Sequence, residues 1–583
     1  MYQQTYFVEK RTGTFADVLA AYGLAAILDE ILAQALGRES QRRVWIRDTG
    51  PYYKVELPEP IQKFWVDNCL PFSLVPFIKK KGVQPPHGMP IEWTRDFDGA
   101  RQSYQTFFST RQMTPAPDYP VLECIGDTKM QATNKTKNSF ESYNAMALRW
   151  YQTLSKFTVN IEFILQMCAS PGSNPDDLAV VWARKTGLPS KEAFVTASQL
   201  LNPAEGQGQN QPKANRLDTR MNLSSFWLFE YLKAAGMWMC AAPRKAAPPK
   251  NEPTREDWER ADRKIYVLAP SNITLGAHKD VFKTFSSRLR NETSVKMDCI
   301  AALLYAATLL EYSEAGQYDE LDFEGYGPAK VVAGFHVAQY KLLSRNAYTA
   351  INMAFLGLPA WTGDARSRKE VLDLRDVIEE HREVIDGIEE SRSEGYNLLL
   401  SYRNFLLGQR WDDFFEFAAG YSHYAMSQLA QGQRWVPLFT TPSLRRLIMA
   451  TNKSLRTIIE SPGFQNVAYA IRHSTIIPQT RKARGGETLY DIRYGLGMDL
   501  KRKATVRDEF VAALANFIQS YNQENSQVLE TRGQQMRKDL RTTDVEAVVG
   551  LVDEYGAEVV ANLLVAYGYA REPRDEAESS EKA

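Results

Sequence analysis

An α+β N-terminal part, helical on balance, followed by an all-α C-terminal helical bundle is the fold class predicted for this 583-residue sequence. Three observations point to it. Alternating stretches and turn-forming residues lie in the first half, whereas helical periodicity dominates after Ile265–Leu268 and continues from Tyr396 to about Ala570. The chain is also too long for one hydrophobic core, so two or three domains are expected. The expected division is residues 1–365 for a mixed body, 366–570 for the bundle and 571–583 for a disordered tail, REPRDEAESSEKA.

The elements follow in order. Thr14 is placed to cap a helix from Phe15 to about Leu36, with Asp17 in its first turn. Val44–Leu57 alternates on either side of Thr49-Gly50-Pro51 and reads as a hairpin. Residues 58–125 are rich in proline and aromatics and predict irregular α+β structure, after which Ala145–Met167 returns to helix. Asn202–Lys213 is a polar Gly/Gln loop too poor in apolar residues to pack. Arg244–Pro253 reads as a Pro/Lys connector, a domain boundary or an exposed insertion. Ile265–Leu268 is a short strand candidate, and Arg368–Glu390 a charge-laced helix with one face in solvent.

Composition narrows the class. Hydrophobic residues make up 44% of the chain and charged ones 24%, as in an ordinary soluble protein. No apolar run reaches the roughly 18–20 residues that span a bilayer, and MYQQTYFVEKRTGTF carries no leader pattern. A cytoplasmic protein without membrane contact is expected. Cys69, Cys124, Cys168, Cys240 and Cys299 form no Cys-x-x-Cys pair, so they read as buried thiols rather than zinc ligands or disulfides.

Catalytic patterns are missing. None of the six histidines precedes an aspartate, and His-Glu-x-x-His, phosphate-loop and nucleophile-elbow spacings do not occur. The acids Asp319, Glu320, Asp322 and Glu324 resemble a calcium loop, but Val331 stands where its twelfth-position acid belongs. No catalytic residue, metal set or cofactor is therefore assigned.

Charge is neutral overall, 70 basic against 70 acidic residues, yet Ser443–Arg541 holds 17 Lys and Arg against 9 Asp and Glu. A local surplus of this kind suits a polyanion. Within it Phe510, Leu514, Phe517, Ile518 and Tyr521 make one apolar helical stripe. The cations Arg472, Arg481, Lys482, Arg484, Arg493, Lys501, Arg502 and Lys503 crowd the same segment. Arg481, Lys482 and Arg484 sit with Gly485 and Gly486 in an expected mobile loop, and the other four from Arg493 on an expected helix. Tyr469, Tyr490 and Tyr494 could stack on bases or pack in a core, and His473 reads as a structural hydrogen-bonding residue.

A second basic stretch carries Lys279, Lys283, Arg288, Arg290 and Lys296, with Phe282 and Phe285 pointing inward. It reads equally as a phosphate-backbone contact or an ordinary amphipathic surface helix. In a third, Lys129, Lys135 and Lys137 alternate with Gln131, Asn134 and Asn138. Amides can read base edges while lysines hold phosphates. The same residues also read as a solvated loop.

The order of features, an early AYGLA helix, then YRNFLLGQRWDDFFEFAAGYSHY, AIRHSTI, IRYGLGMDLKRKA and NFIQSYNQEN, resembles the large subunit of type I CRISPR Cascade complexes. The likeness is closest to type I-B-like systems, including transposon-associated ones, and is most specific over residues 395–525. It implies a non-catalytic subunit that recognises a protospacer-adjacent motif in duplex DNA through the Lys129–Asn138 loop, helps unwinding and holds the target or displaced strand. Implied partners are CRISPR RNA, double-stranded target DNA and the backbone, handle-binding and small Cascade subunits. A helicase–nuclease or transposition proteins would act after binding. The likeness further implies an internal start, Met449 or Met426, yielding a separate small subunit. Some relatives carry a zinc site, for which this chain lacks the spacing. Polymerase-type Gly-Gly-Asp-Asp chemistry is disfavoured, because the single Gly-Gly pair is followed by Glu487-Thr488.

The rival reading is a helical protein–protein scaffold, for which Trp45, Trp65 and Trp93 would supply contacts. A nuclease with an unrecognised site is a third. The first reading makes a separable prediction. Lys129→Ala or Lys135→Ala should weaken DNA binding across sequences and reduce the salt slope by about one, whereas Asn134→Ala should relax motif choice. Equal affinity of the unmodified complex for all motif variants, measured by competition binding, would remove the assignment.

Overall fold

The computed structural model describes residues 1–38, 43–110, 119–127, 140–196, 198–203, 224–248, 253–314, 328–344, 347–359, 361, 367–408, 410–451 and 453–572. The chain forms two compact units, Met1–Met297 with Leu304–Leu358, and Asp298–Leu303 with Pro359–Ala583. Every sheet among the described residues lies in the first unit, and the second is helical. The predicted α+β part followed by a helical bundle is therefore the observed fold. No helix among the described residues is long and apolar enough to cross a membrane.

In the first unit Thr14 caps the helix Phe15–Leu36 as expected, its side chain accepting from the Ala16 amide. Asp17 accepts from the Thr12 and Gly13 amides. This helix is buried almost all round over its first four turns, so it acts as a core element rather than a surface helix. It crosses Trp227–Cys240 at very close range. A Cβ on Gly23 would stand 1.9 Å from the Leu232 carbonyl oxygen, and one on Gly236 the same 1.9 Å from that of Leu19. On Trp227–Cys240, Tyr231 stacks on Trp150 at 4.2 Å, and Trp150 donates to the Phe72 carbonyl.

Two antiparallel four-stranded sheets belong to this unit. The first has the order Thr5–Glu9, Tyr52–Glu56, Trp45–Asp48, Asn272–Thr274, and so contains the predicted hairpin. The second has the order Ala347–Gly357, Val332–Ser344, Arg263–Pro270, Ala241–Lys245. The strand expected at Ile265–Leu268 is thus real but longer. Its neighbours correct two expectations. Helical periodicity was expected to dominate after Leu268, yet Val332–Ser344 and Ala347–Gly357 are two long strands paired antiparallel. Their register shifts between Gln339 and Tyr340, which breaks the alternation that marks a strand. The start of the Pro/Lys connector is likewise a strand. Arg244 is buried there and donates to the Leu289, Ser286 and Pro243 carbonyls, closing the end of helix Leu275–Arg288.

Ala145–Met167 divides into helices Glu141–Gln152 and Phe157–Met167. The five cysteines are buried thiols with no disulfide among them, as expected. In the second unit the expected charge-laced helix is Arg368–Asp386. The aromatic segment forms Ser393–Gly408 and Trp411–Ala430, and the bundle closes with Thr542–Tyr555 and Ala557–Gly568. Arg571 pairs with Thr440 in an isolated bridge. The calcium-like acids and residues 573–583 lie outside the described residues.

The close crossing gives a test. Gly236→Ala should destabilise the first unit by about 3 kcal/mol, the upper end of overpacking costs, because backbone rather than a movable side chain receives the methyl group. A urea midpoint equal to that of the natural sequence would contradict it.

Candidate nucleic-acid interface

The six residues expected to read a motif, Lys129, Gln131, Asn134, Lys135, Lys137 and Asn138, lie outside the described residues. The residues that bracket them are well anchored. Asp127 accepts from buried Arg263 at 3.0 Å. Phe140 is fully buried, its ring 2.6 Å from where a Cβ on Gly126 would stand. Only glycine admits that contact.

The second basic stretch is an amphipathic helix, Leu275–Arg288, with Phe282 and Phe285 buried as expected. Lys279 and Lys283 are exposed one turn apart. Lys279 pairs with Asp29 at 2.8 Å and Arg288 with Glu311 at 2.6 Å. Lys283 and Arg290 are exposed and have no ion-pair partner among the described residues, while Lys296 is half-buried on the next helix, Ser294–Glu314. Exposed pairs of this kind contribute about 0–1 kcal/mol, so a phosphate could compete for their cations.

The C-terminal segment sorts its cations more sharply. Arg472 is buried on helix Pro462–Ser474, donates to the Tyr567 carbonyl at 2.9 Å and pairs with Glu572. Burial pushes its guanidinium below the usual range. Arg493 precedes helix Leu496–Lys503 rather than riding on it, and pairs with Glu524. Arg502 and Lys503 share Asp499 at 2.7 and 2.9 Å. Those two pairs hold the Asp499 carboxyl below its usual range. Burial lowers the half-buried Lys501 ammonium.

Arg481, Lys482 and Arg484 do not lie in a mobile loop. Arg481 and Lys482 form the last turn of helix Ile476–Ala483 and Arg484 is its C-cap. The Gly485 amide donates to the Lys482 carbonyl and the Gly486 amide to that of Arg481, both at 2.9 Å. Gly485 adopts φ +81°, the left-handed conformation this helix stop requires. The glycines that read as flexibility are a cap. All three cations are exposed and make no ion pair among the described residues.

The apolar stripe Phe510, Leu514, Phe517, Ile518 and Tyr521 is buried on helix Arg507–Arg532, as expected. Tyr494 is 43% exposed and donates to Gln479. Tyr469 packs on His473 with ring centres 3.8 Å apart, and burial lowers the imidazole. Tyr490 packs on Arg537, which sequence reasoning did not single out. The Arg537 guanidinium lies 3.7 Å from the Tyr490 ring centre and 4.0 Å from that of Tyr521. It donates to Asn525, to Glu524 at 2.7 Å and to the His473 carbonyl at 3.2 Å. No local pattern marks it, since its partners are spread from His473 to Asn525.

Family models were compared with this chain and none matches, and no curated protein matches it either.

Arg537→Ala should destabilise the second unit by about 3 kcal/mol, the scale for removing one partner of a buried ion pair. Arg537→Lys should restore little, because an ammonium cannot present two faces and a fork together. Limited trypsinolysis of both variants should show faster cleavage after Arg484 and Arg493. Unchanged cleavage would show that the segment is held by other contacts.

Proposed function

We propose that this chain is a non-catalytic, nucleic-acid-binding large subunit of a CRISPR RNA-guided DNA-targeting complex of the Cascade type. It would recognise a short motif in duplex DNA, help open it and hold the target or displaced strand. Pairing with the guide then reads the sequence, an exchange close to energetic balance, so the protein need only bias it. The carrying observation is the separation of cations. Lys283 and Arg290 in the first unit, and Arg481, Lys482 and Arg484 in the second, are exposed without ion-pair partners among the described residues. Arg472, Arg493, Arg502 and Lys503 are engaged within the protein. The resemblance over residues 395–525 supplies the assembly.

The protein-scaffold reading keeps one specific observation. Phe64, Leu70 and Ile91 are 70, 72 and 82% exposed, more than an isolated fold needs. Trp93 is buried and Trp45 and Trp65 are half-buried, so these three residues rather than the tryptophans would meet a partner.

Purification of the tagged protein from its native host, with sequencing of accompanying RNA, separates the two. Short RNAs with a variable segment between constant repeats are expected. Protein partners alone, with no RNA at low salt, would overturn the guided-complex reading.

A further inference from the structure

Two helix ends in the second unit meet at one place. Helix Trp411–Ala430 stops as Ile476–Ala483 does. Gly432 adopts φ +99°, its amide donates to the Leu429 carbonyl, and the Gln433 amide donates to that of Gln428. The chain leaving this cap passes Arg434 and Trp435. The side chain of Arg484, at the other cap, donates from Nε to the Arg434 carbonyl at 3.3 Å. The peptide linking Arg434 to Trp435 is therefore held against the Arg481–Gly486 turn.

Trp435 is 54% exposed, although tryptophan is among the residues folding most strongly removes from water. It is not on a loose segment. Val436 and Phe439 beside it are buried, and Tyr421 donates to the Pro437 carbonyl at 2.6 Å. An exposed aromatic side chain is thus carried on a fixed backbone, next in sequence to exposed Arg434, whose carbonyl receives Arg484 from the turn that also carries exposed Arg481 and Lys482. None of these four has an ion-pair partner among the described residues. Glu487, just past the turn, is taken by Arg532 at 3.4 Å.

Cations near helix C-termini can serve only to balance the helix dipoles. The magnitudes decide against that as their whole role. Each helix end presents about −0.5 charge, so two ends together balance about one cation of four. A surplus of about +3 remains on the two joined turns, one of which leads directly into Trp435.

We propose that Trp435, with Arg434, Arg481, Lys482 and Arg484, forms a binding platform for a single nucleic-acid strand. The indole stacks on one base and the cations hold the flanking phosphates. Stacking tolerates any base and cations read no sequence, so the platform would grip a strand whatever its composition. This inference rests on the function proposed above and assigns it a stacking residue.

The test uses the full-length protein and fluorescently labelled dT20 and rU20, with anisotropy read over a range of salt. Trp435→Ala should weaken binding about tenfold, the scale of one lost stacked base, while Trp435→Phe retains most of it. The triple change Arg481→Ala, Lys482→Ala, Arg484→Ala should lower the salt slope by about 2, at about 0.7 per phosphate on a single strand. Trp435 is largely exposed, so the variant should keep the natural circular dichroism spectrum and melting midpoint. Preference for dT20 assigns the platform to DNA, and preference for rU20 to RNA. Binding unaffected by Trp435→Ala overturns the platform and leaves the proposed function standing. Failure of the unmodified protein to bind either strand overturns the platform and the strand-holding role together.

Discussion

The basic segment of the second unit hangs from one guanidinium. Arg537 is buried, and a buried cation is tolerated only where charge and hydrogen bonds replace lost water. Glu524 supplies the charge, and Asn525 with the His473 and Tyr521 carbonyls supply acceptors. Tyr490 and Tyr521 cover the faces. Only arginine has donors around a planar edge and two faces to stack. Glu524 also pairs with Arg493, so the charges run plus, minus, plus through the site. Residues 484–495 are too polar to pack by an apolar stripe of their own. They are held by Tyr490 on Arg537, by Arg493 on Glu524 and by the Arg493 amide on the Ser474 carbonyl. The exposed turn at Arg481–Gly486 is fixed because the segment after it is anchored in this way.

The first unit depends on a different constraint. Helices Phe15–Leu36 and Trp227–Cys240 touch backbone to backbone at Gly23 and Gly236. Such an approach leaves no room for a side chain and needs glycine on both partners. It also places Lys233 among Glu230 and Asn202, at 2.7 and 2.6 Å, inside the protein. Close packing elsewhere on the same helix excludes water, which makes those pairings obligatory rather than ornamental.

What could be read from the sequence was what depends on neighbours in the chain. Thr14 caps the helix beside it, Thr49-Gly50-Pro51 turns the hairpin around it, and Phe510 to Tyr521 bury a face through their own spacing. What could not be read depends on distant residues. Arg244 looked like part of an exposed connector because its carbonyl partners at Ser286 and Leu289 are some forty residues on. The cations were countable, but their partners were not: Lys279 finds Asp29, Arg493 finds Glu524 and Arg507 finds Asp553. Gly485 and Gly486 suggested mobility, because glycine in sequence signals freedom and only the fold shows that φ +81° has been fixed. Trp435 stood in no periodic pattern, and exposure alone makes it notable.

The distribution of charge then bears on how binding would work. A surplus of +8 over Ser443–Arg541, scattered evenly, would attract any polyanion weakly. Among the described residues, internal pairing engages most of those cations. Of the exposed ones left without an ion pair, Arg481, Lys482 and Arg484 share one capped turn, while Lys538 and Arg541 stand apart from it in sequence. Because the whole chain is neutral, its long-range field is small, and at physiological salt attraction fades within about 8 Å. Long-range steering is therefore a poor route to this surface. Contact has to be brought within range by something else, and affinity then comes from short-range phosphate pairing and stacking. Under the proposed role the guide complex does this, since strand opening delivers an unpaired strand directly to a bound subunit. A neutral protein with a concentrated cationic turn would hold such a strand while staying off bulk nucleic acid, a discrimination that a uniformly basic surface could not provide.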